Sequence, residues 1–169
     1  MIDLFSANTP NGKKISIMLE EIGYEYEVKK VDIDKGEQFN SEFKKISPFS
    51  KIPVIIDHEN NLSLFESGAI LLYLAEKTGQ FLNTSDPNVY WRTMEWLMWQ
   101  MGSTPYVGGG FGHFYAYAPE KLEYPINRYT METKRLLDVL DKNLEKRQFV
   151  CGNEYNIADI ANYSWYGYI

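Results

Sequence analysis

The chain has 169 residues, 44% of them hydrophobic and 24% charged, with a formal net charge of −6. That balance excludes a disordered chain, and an acidic protein without a long basic run is not built for nucleic acid, whose phosphates select clustered Lys and Arg. No uninterrupted apolar run reaches the roughly 18 residues of a membrane span, and the N-terminus has no basic segment leading into an apolar one. The expected compartment is therefore the cytoplasm, with no membrane partner.

Ile2 and Leu4 share one face of a short strand that stops at "FSANTPNGKKI", residues 5–15. Thr9, Pro10, Asn11 and Gly12 there are open to two readings. Pro, Asn and Gly each suit a bend for their own backbone reasons; a strand-to-helix junction also aims free N–H groups and short polar side chains at a small anion. Ile15, Met18, Leu19 and Ile22 recur at i, i+3, i+4 and i+7, which predicts a helix that Gly23 ends. Tyr24, Tyr26 and Val28 alternate with charged residues as a second strand, completing a parallel βαβ unit with a right-handed crossover.

A polar, charged connection follows, "DIDKGEQFNSEFKKIS". "KIPVII" and "LSLF", on either side of "DHENN", predict a hairpin. "ESGAILLYLAEKTG" predicts a helix with Ile70, Leu71 and Leu74 inward and Gly79 as its stop. A βαβ unit and a ββα unit around one small mixed sheet make a thioredoxin-like domain, expected over residues 1–80.

Beyond "QFLNTSDPN" the strong patterns are helical, so residues 87–169 are expected to form an all-α domain. "VYWRTMEWLMWQM" is apolar around most of its circumference, as in a helix buried on several sides. Ile126, Tyr129, Thr133, Leu137, Leu140 and Leu144 trace one stripe of a later helix. "YNIADI" places Asn156 at an N-cap with Asp159 at N3, and Tyr155 and Ile160 at the two positions of a hydrophobic staple. The stretch "ADIANYSWYGYI" then puts Tyr163, Trp165, Tyr166 and Ile169 where they need packing partners, and the expectation is a piece of a longer protein.

The one cysteine, Cys151, allows no internal disulfide and no dithiol motif. It lies between Val150 and Gly152 with no His, Lys or Arg adjoining, and reads as a packing residue. Any thiol chemistry must bring its sulfur from outside.

Three features of the first half point to one ligand. Pro53 at a strand start is compatible with an edge strand, and a cis Ile52–Pro53 bond would turn the Ile52 backbone outward to pair with an extended peptide; the residues leave the isomer open. Glu66 and Ser67 open a helix, where the hydroxyl and free N–H groups suit a carboxylate and Glu66 suits an ammonium. Ser67 is equally open to a plain N-cap role. Together they describe a receptor for a zwitterionic, peptide-like molecule.

"TPNG", "SPFSKIPVI", "LSLFESGAILLYLAEKTG", "NRYTMETKRL" and "YNIADIA" resemble the cytosolic glutathione transferases, most closely the Nu-class, Ure2-like bacterial group with glutathione-dependent disulfide-bond oxidoreductase activity. The resemblance implies a homodimer, glutathione as cosubstrate and no metal. It implies that Glu66 and Ser67 hold the γ-glutamyl end, that Ile52 pairs with the cysteinyl unit ahead of a cis Pro53, and that Gln38 and Lys51 address the glycine carboxylate. Thr9 and Asn11 would face the sulfur as the catalytic pair, and Arg128 would complete the pocket, across the dimer interface. Ser6, at the strand end, is the alternative donor.

A free thiol has a pKa near 8.5, and lowering it by one or two units takes about 1.4 to 2.7 kcal/mol, within reach of a few hydrogen bonds and a helix N-terminus. A bound thiolate would then attack a disulfide and a second glutathione would release the product. Weak transferase or peroxidase side activity belongs to the same expectation. Two alternatives stay open: an ordinary transferase that conjugates electrophiles, and a glutathione-binding regulatory module without turnover. "STPYVGGGFGHFYAYAPEK" falls where this group has its electrophile-side loop. Its Gly run is no phosphate loop, since no G-K-[ST] follows, and His113 within it reads as a loop or packing residue.

Overall fold

A computed structural model describes residues 1–167; Ile169, expected to need a packing partner, lies outside them. Strands β1 (Ile2–Ser6), β2 (Tyr26–Lys30), β3 (Val54–Asp57) and β4 (Leu62–Phe65) form one sheet in the order β2-β1-β3-β4. β1 runs parallel to β2 and antiparallel to β3, and β3 antiparallel to β4, so the βαβ and hairpin units meet at β1 and β3. Helices α1 (Pro10–Glu21) and α3 (Ser67–Thr78) bury Ile15, Met18, Leu19, Ile70, Leu71 and Leu74 against Ile2, Leu4 and Ile55. This is the thioredoxin-like arrangement.

The polar connection contains an element that its composition conceals. A single 3-10 turn (Glu37–Phe39) leads into α2 (Ser41–Ile46), whose Phe43 packs with Val31 and Val54 on the opposite face of the sheet. Six residues with one buried apolar side chain are too few to show a period.

The second half is helical: α4 (Pro87–Pro105), α5 (Glu123–Leu144) and α6 (Ile157–Tyr166). α4 buries Met94, Leu97 and Gln100 but leaves Trp91 67% and Met98 55% exposed, so it is covered on fewer sides than its composition predicts. The inward face of α5 runs through Thr133, Leu136 and Leu140, and Leu144, expected on that stripe, is exposed in the last turn. The capping box forms: Asn156 Oδ1 accepts from the Ala158 N–H at 2.9 Å and Asp159 Oδ2 from the Asn156 N–H at 3.0 Å. Asp159 Oδ1 also accepts from the Val150 N–H, and the Ile157 N–H donates to the Phe81 carbonyl, fastening α6 to the segment between the domains. Cys151 is half-buried beside this cap, and burial pushes its thiol pKa up.

The expected loop over "STPYVGGGFGHFYAYAPEK" is instead helical, with wide π-helical turns over Tyr106–Tyr117 continuing from α4. Two of its glycines, Gly108 and Gly110, are contact surfaces. A Cβ on Gly108 would lie 2.5 Å from the Trp165 ring, and one on Gly110 would lie 2.4 Å from the Tyr129 ring. Phe114 stacks on Tyr129 with ring centroids 5.7 Å apart. Glycine disfavours a helix by about 1 kcal/mol per residue in isolation, and here aromatic packing against α5 and α6 outweighs that cost. No helix among the described residues is long and apolar enough to cross a membrane.

Candidate functional site

A cleft of about 430 Å³ opens between the sheet domain and the helices. α1 supplies Asn11 and Lys14, the turn before β3 supplies Lys51, Ile52 and Pro53, and the start of α3 supplies Glu66 and Ser67. Met101 and Thr104 of α4 and Trp165 of α6 form the facing wall. The Ile52–Pro53 bond is cis.

Glu66 stands at the N-cap position of α3 with φ 73° and ψ 112°, in backbone territory that non-glycine residues rarely occupy. Such a residue is strained by about 1 to 3 kcal/mol, and strain of this kind concentrates at ligand sites. Its side chain makes no cap hydrogen bond. Ser67 is the first residue of the helix, so the plain N-cap reading of Ser67 gives way. Its hydroxyl oxygen, buried, accepts a 3.2 Å hydrogen bond from Lys14 Nζ.

Lys14 is 1% exposed. Its Nζ also donates to Gln100 Oε1 at 2.8 Å, and burial lowers its pKa to about 7, partly offset by the nearby Glu66 carboxylate. An amine that loses its charge far more readily than an ordinary lysine therefore sits behind the helix start at which an anion would dock.

Asn11, in the first turn of α1, accepts at Oδ1 a 2.9 Å hydrogen bond from Trp165 Nε1. Thr9 is the N-cap of α1, its Oγ1 accepting from the Gly12 N–H at 3.2 Å. Gly12 itself crosses β1 closely: a Cβ there would meet Ser6 Oγ at 2.3 Å. Ser6 is buried and its hydroxyl donates to the Ala7 carbonyl at 3.3 Å.

The cleft thus gathers Asn11, Lys51, Ile52, Pro53, Glu66 and Ser67. Thr9, Gln38 and Arg128 are not among its lining residues. Gln38 Nε2 donates to the Ile33 carbonyl at 3.4 Å, and Arg128 lies on α5 with its guanidinium 3.8 Å from Glu132. Lys14 and Trp165 are the residues that sequence reasoning missed. Lys14 was detectable, because it falls four residues before Met18 on the inward face of α1, where a charge is out of place. Trp165 was marked only as an aromatic in need of a packing partner.

A mixed four-stranded sheet with a cis proline before β3, a strained acidic residue opening α3, and an all-α domain closing the cleft define a thioredoxin-like protein with an added helical domain. The glutathione S-transferase N-terminal domain family matches residues 2–76, and the glutathione S-transferase C-terminal domain family matches residues 95–169. The chain is 53% identical over 174 residues to the disulfide-bond oxidoreductase YghU of Escherichia coli, an alignment covering 98% of this chain and 60% of that protein. With the disulfide-bond oxidoreductase YfcG of the same organism it shares 50% identity over 170 residues, covering 98% and 79%. The crystal structure of glutathione transferase YghU from Streptococcus pneumoniae, complexed with glutathione, superposes with a TM-score of 0.94 at 52% identity, covering 98% of this chain and 66% of that one. The chain belongs to the glutathione S-transferase family. It spans between 60% and 79% of the length of these three proteins.

Proposed function

We propose that this protein reduces disulfides with glutathione, and that its own side chains bind, orient and activate the glutathione thiol. Residues 1–80 are the glutathione-binding domain in this reading, and 87–169 the helical domain. The observation that carries it is the joint placement of the Asn11 amide and the Glu66–Ser67 helix start in one cleft, in a chain whose relatives are named disulfide-bond oxidoreductases.

The γ-glutamyl carboxylate is held at the start of α3, where free N–H groups and the helix dipole favour an anion. Its ammonium pairs with Glu66. The Ile52 backbone pairs with the cysteinyl unit and Lys51 receives the glycine carboxylate, while Gln38 and Arg128, which do not line the cleft, are assigned no contact. The sulfur faces the Asn11 amide and the Thr9 hydroxyl, whose oxygen already accepts from Gly12 and whose hydrogen remains to be donated.

Hydrogen bonds to a thiolate stabilise the charged form and lower the thiol pKa. The thiolate attacks one sulfur of the substrate disulfide; the S–S bond breaks, a mixed disulfide forms, and the departing thiolate takes up a proton. A second glutathione thiolate then attacks the glutathionyl sulfur and frees the other substrate thiol. Two glutathiones are oxidised to one glutathione disulfide, and one disulfide is reduced to two thiols. Cys151 lines a different cleft, beside the linker, and takes no part.

We place the protein in the cytoplasm as a homodimer acting on small disulfides, with conjugation of electrophiles and peroxide reduction as minor activities. The exposed Trp91 and Met98 on α4 offer apolar surface for the second copy. Turnover of glutathione with 2-hydroxyethyl disulfide, followed by coupled detection of glutathione disulfide, tests the assignment. Rates well above blank are expected. Tight glutathione binding with no turnover overturns the proposal in favour of a binding module, and faster conjugation of a chlorodinitrobenzene electrophile than disulfide reduction overturns it in favour of an ordinary transferase.

A further inference from the structure

The helical half reaches the Asn11 side chain of the sheet domain through a hydrogen bond. Trp165 Nε1 lies 2.9 Å from Asn11 Oδ1. An indole N–H is a donor only, so the Asn11 atom facing it is the carbonyl oxygen, and the NH₂ group occupies the other side of the amide. Left to itself, an Asn amide is free to exchange its two ends by rotation about χ2, a broad and nearly two-fold torsion. A thiolate facing such a group would meet a donor in one orientation and a repelling oxygen in the other.

The indole is itself held. Its ring edge lies over Gly108 so closely that a Cβ there would come within 2.5 Å of Cη2 and 2.7 Å of Cζ3. Trp99 and Ser103 fix the next residue of α6, Tyr166, by ring contact and by a 2.6 Å hydrogen bond between the Ser103 and Tyr166 hydroxyls. The glycine in the π-helical segment is therefore a seat for the tryptophan. This gives a task to a Gly-rich stretch that disulfide exchange does not otherwise use.

We propose that Trp165, seated on Gly108, is a positioning residue: it fixes the Asn11 amide with its NH₂ group turned into the cleft, and thereby sets how strongly the bound thiolate is stabilised. The inference rests on the reading of the cleft as a glutathione thiolate site. Trp165 touches no reacting atom in this role, and the consequence of losing it differs from that of losing a binding residue. Glutathione is still held by Glu66, Ser67 and Ile52, while its thiol is less acidic.

Trp165→Phe keeps an aromatic side chain at this position and removes the indole N–H together with the outer ring atoms that lie over Gly108, so Gly108→Ala, which disturbs the seat and keeps the N–H, is its companion. The readout is the ultraviolet absorbance of bound glutathione thiolate titrated against pH, which requires no turnover. The thiol pKa is expected to rise by about one unit, with disulfide turnover at neutral pH falling about tenfold and glutathione KM changing less than about twofold. In an Asn11→Ala background, Trp165→Phe should add almost nothing, because the donor it aims is gone. Gly108→Ala should shift the titration in the same direction as Trp165→Phe.

A Trp165→Phe titration that coincides with wild type, where wild type itself lowers the thiol pKa, overturns this inference alone. Bound glutathione with an ordinary thiol pKa in wild type overturns the functional reading together with it. Additive losses in the double variant assign Trp165 to packing and also reject the inference. Should Trp165→Phe fail to fold, the indole N–H resonance of Trp165 decides: it must shift between wild type and Asn11→Ala, and an unchanged resonance overturns the proposal.

Discussion

Lys14 Nζ donates at once to Ser67 Oγ at 3.2 Å and to Gln100 Oε1 at 2.8 Å, so one buried amine joins the start of α3 to the middle of α4. Its pKa, lowered from 10.5 to about 7 by burial, carries a pH dependence. Below about pH 7 the lysine is charged in both folded and unfolded chains and its desolvation cost stands in full. Above that, the folded chain releases the proton while the unfolded chain keeps it until near 10.5, so stability rises with pH across the window. Urea unfolding of wild type and Lys14→Met between about pH 7 and 9 should show the difference moving in favour of wild type by up to about 1.4 kcal/mol per pH unit. Parallel profiles would show that the amine does not titrate there.

Glu66 combines a proposed ligand role with backbone strain. Glu66→Gly removes both: glycine adopts φ 73° freely, and the ammonium loses its carboxylate partner. Thermal unfolding of the free protein should shift upward, by about 1 kcal/mol of added stability. Calorimetric titration should show glutathione binding at least about tenfold weaker. An unchanged Kd would remove Glu66 from the site.

Thr9 serves as helix cap and as proposed thiolate donor, and the two duties are separable. Thr9→Ala should lose about 1 kcal/mol of stability along with turnover. Thr9→Asp, an equally good cap, should retain stability while its carboxylate repels the thiolate and raises the bound thiol pKa. Replacing both Thr9 and Asn11 by Ala should abolish disulfide turnover and leave glutathione binding through Glu66 and Ser67 largely intact.

Asp57, fully buried at the end of β3, is held by Lys77 of α3 at 2.8 Å and by the Tyr73 hydroxyl. Burial pushes its carboxyl pKa up, but the hydrogen bonds from Lys77, Tyr73 and the Glu59 N–H together outweigh that and bring it to about 2. The stabilisation is present above about pH 4 and is lost as pH falls toward 2. Lys77→Met leaves the carboxylate buried without its cation and should cost about 3 kcal/mol at neutral pH. The cost should shrink in acid as Asp57 protonates; a cost independent of pH would trace to packing.

What the residues disclosed depended on how local each signal was. Ile15, Met18 and Leu19 repeat within one helix, and Asn156 and Asp159 complete their box within four positions, so both features were readable along the chain. Glu66 and Ser67 were likewise adjacent, although the left-handed backbone of Glu66 was not foreseeable from residue type. The Gly-rich stretch read as a loop because the partners of Gly108 and Gly110, Trp165 and Tyr129, come from other helices. Lys14 was marked only by its register with Met18 on the inward face of α1, against the usual reading of a helical lysine as part of a solvated face. Gln38 and Arg128 came from the family resemblance, and neither they nor Thr9, singled out first in the turn after β1, line the cleft.

The Asn11–Trp165 hydrogen bond joins residues 154 positions apart. The sheet, α1 and α3 assemble from nearer neighbours, whereas α6 must dock on α1 and α4 before the amide is aimed. Contacts of such long sequence separation form late, after the loops they close have been ordered. During synthesis from the N-terminus, the surface proposed to grip a peptide-like ligand is therefore laid down before that hydrogen bond. The group proposed to make its sulfur reactive is set later.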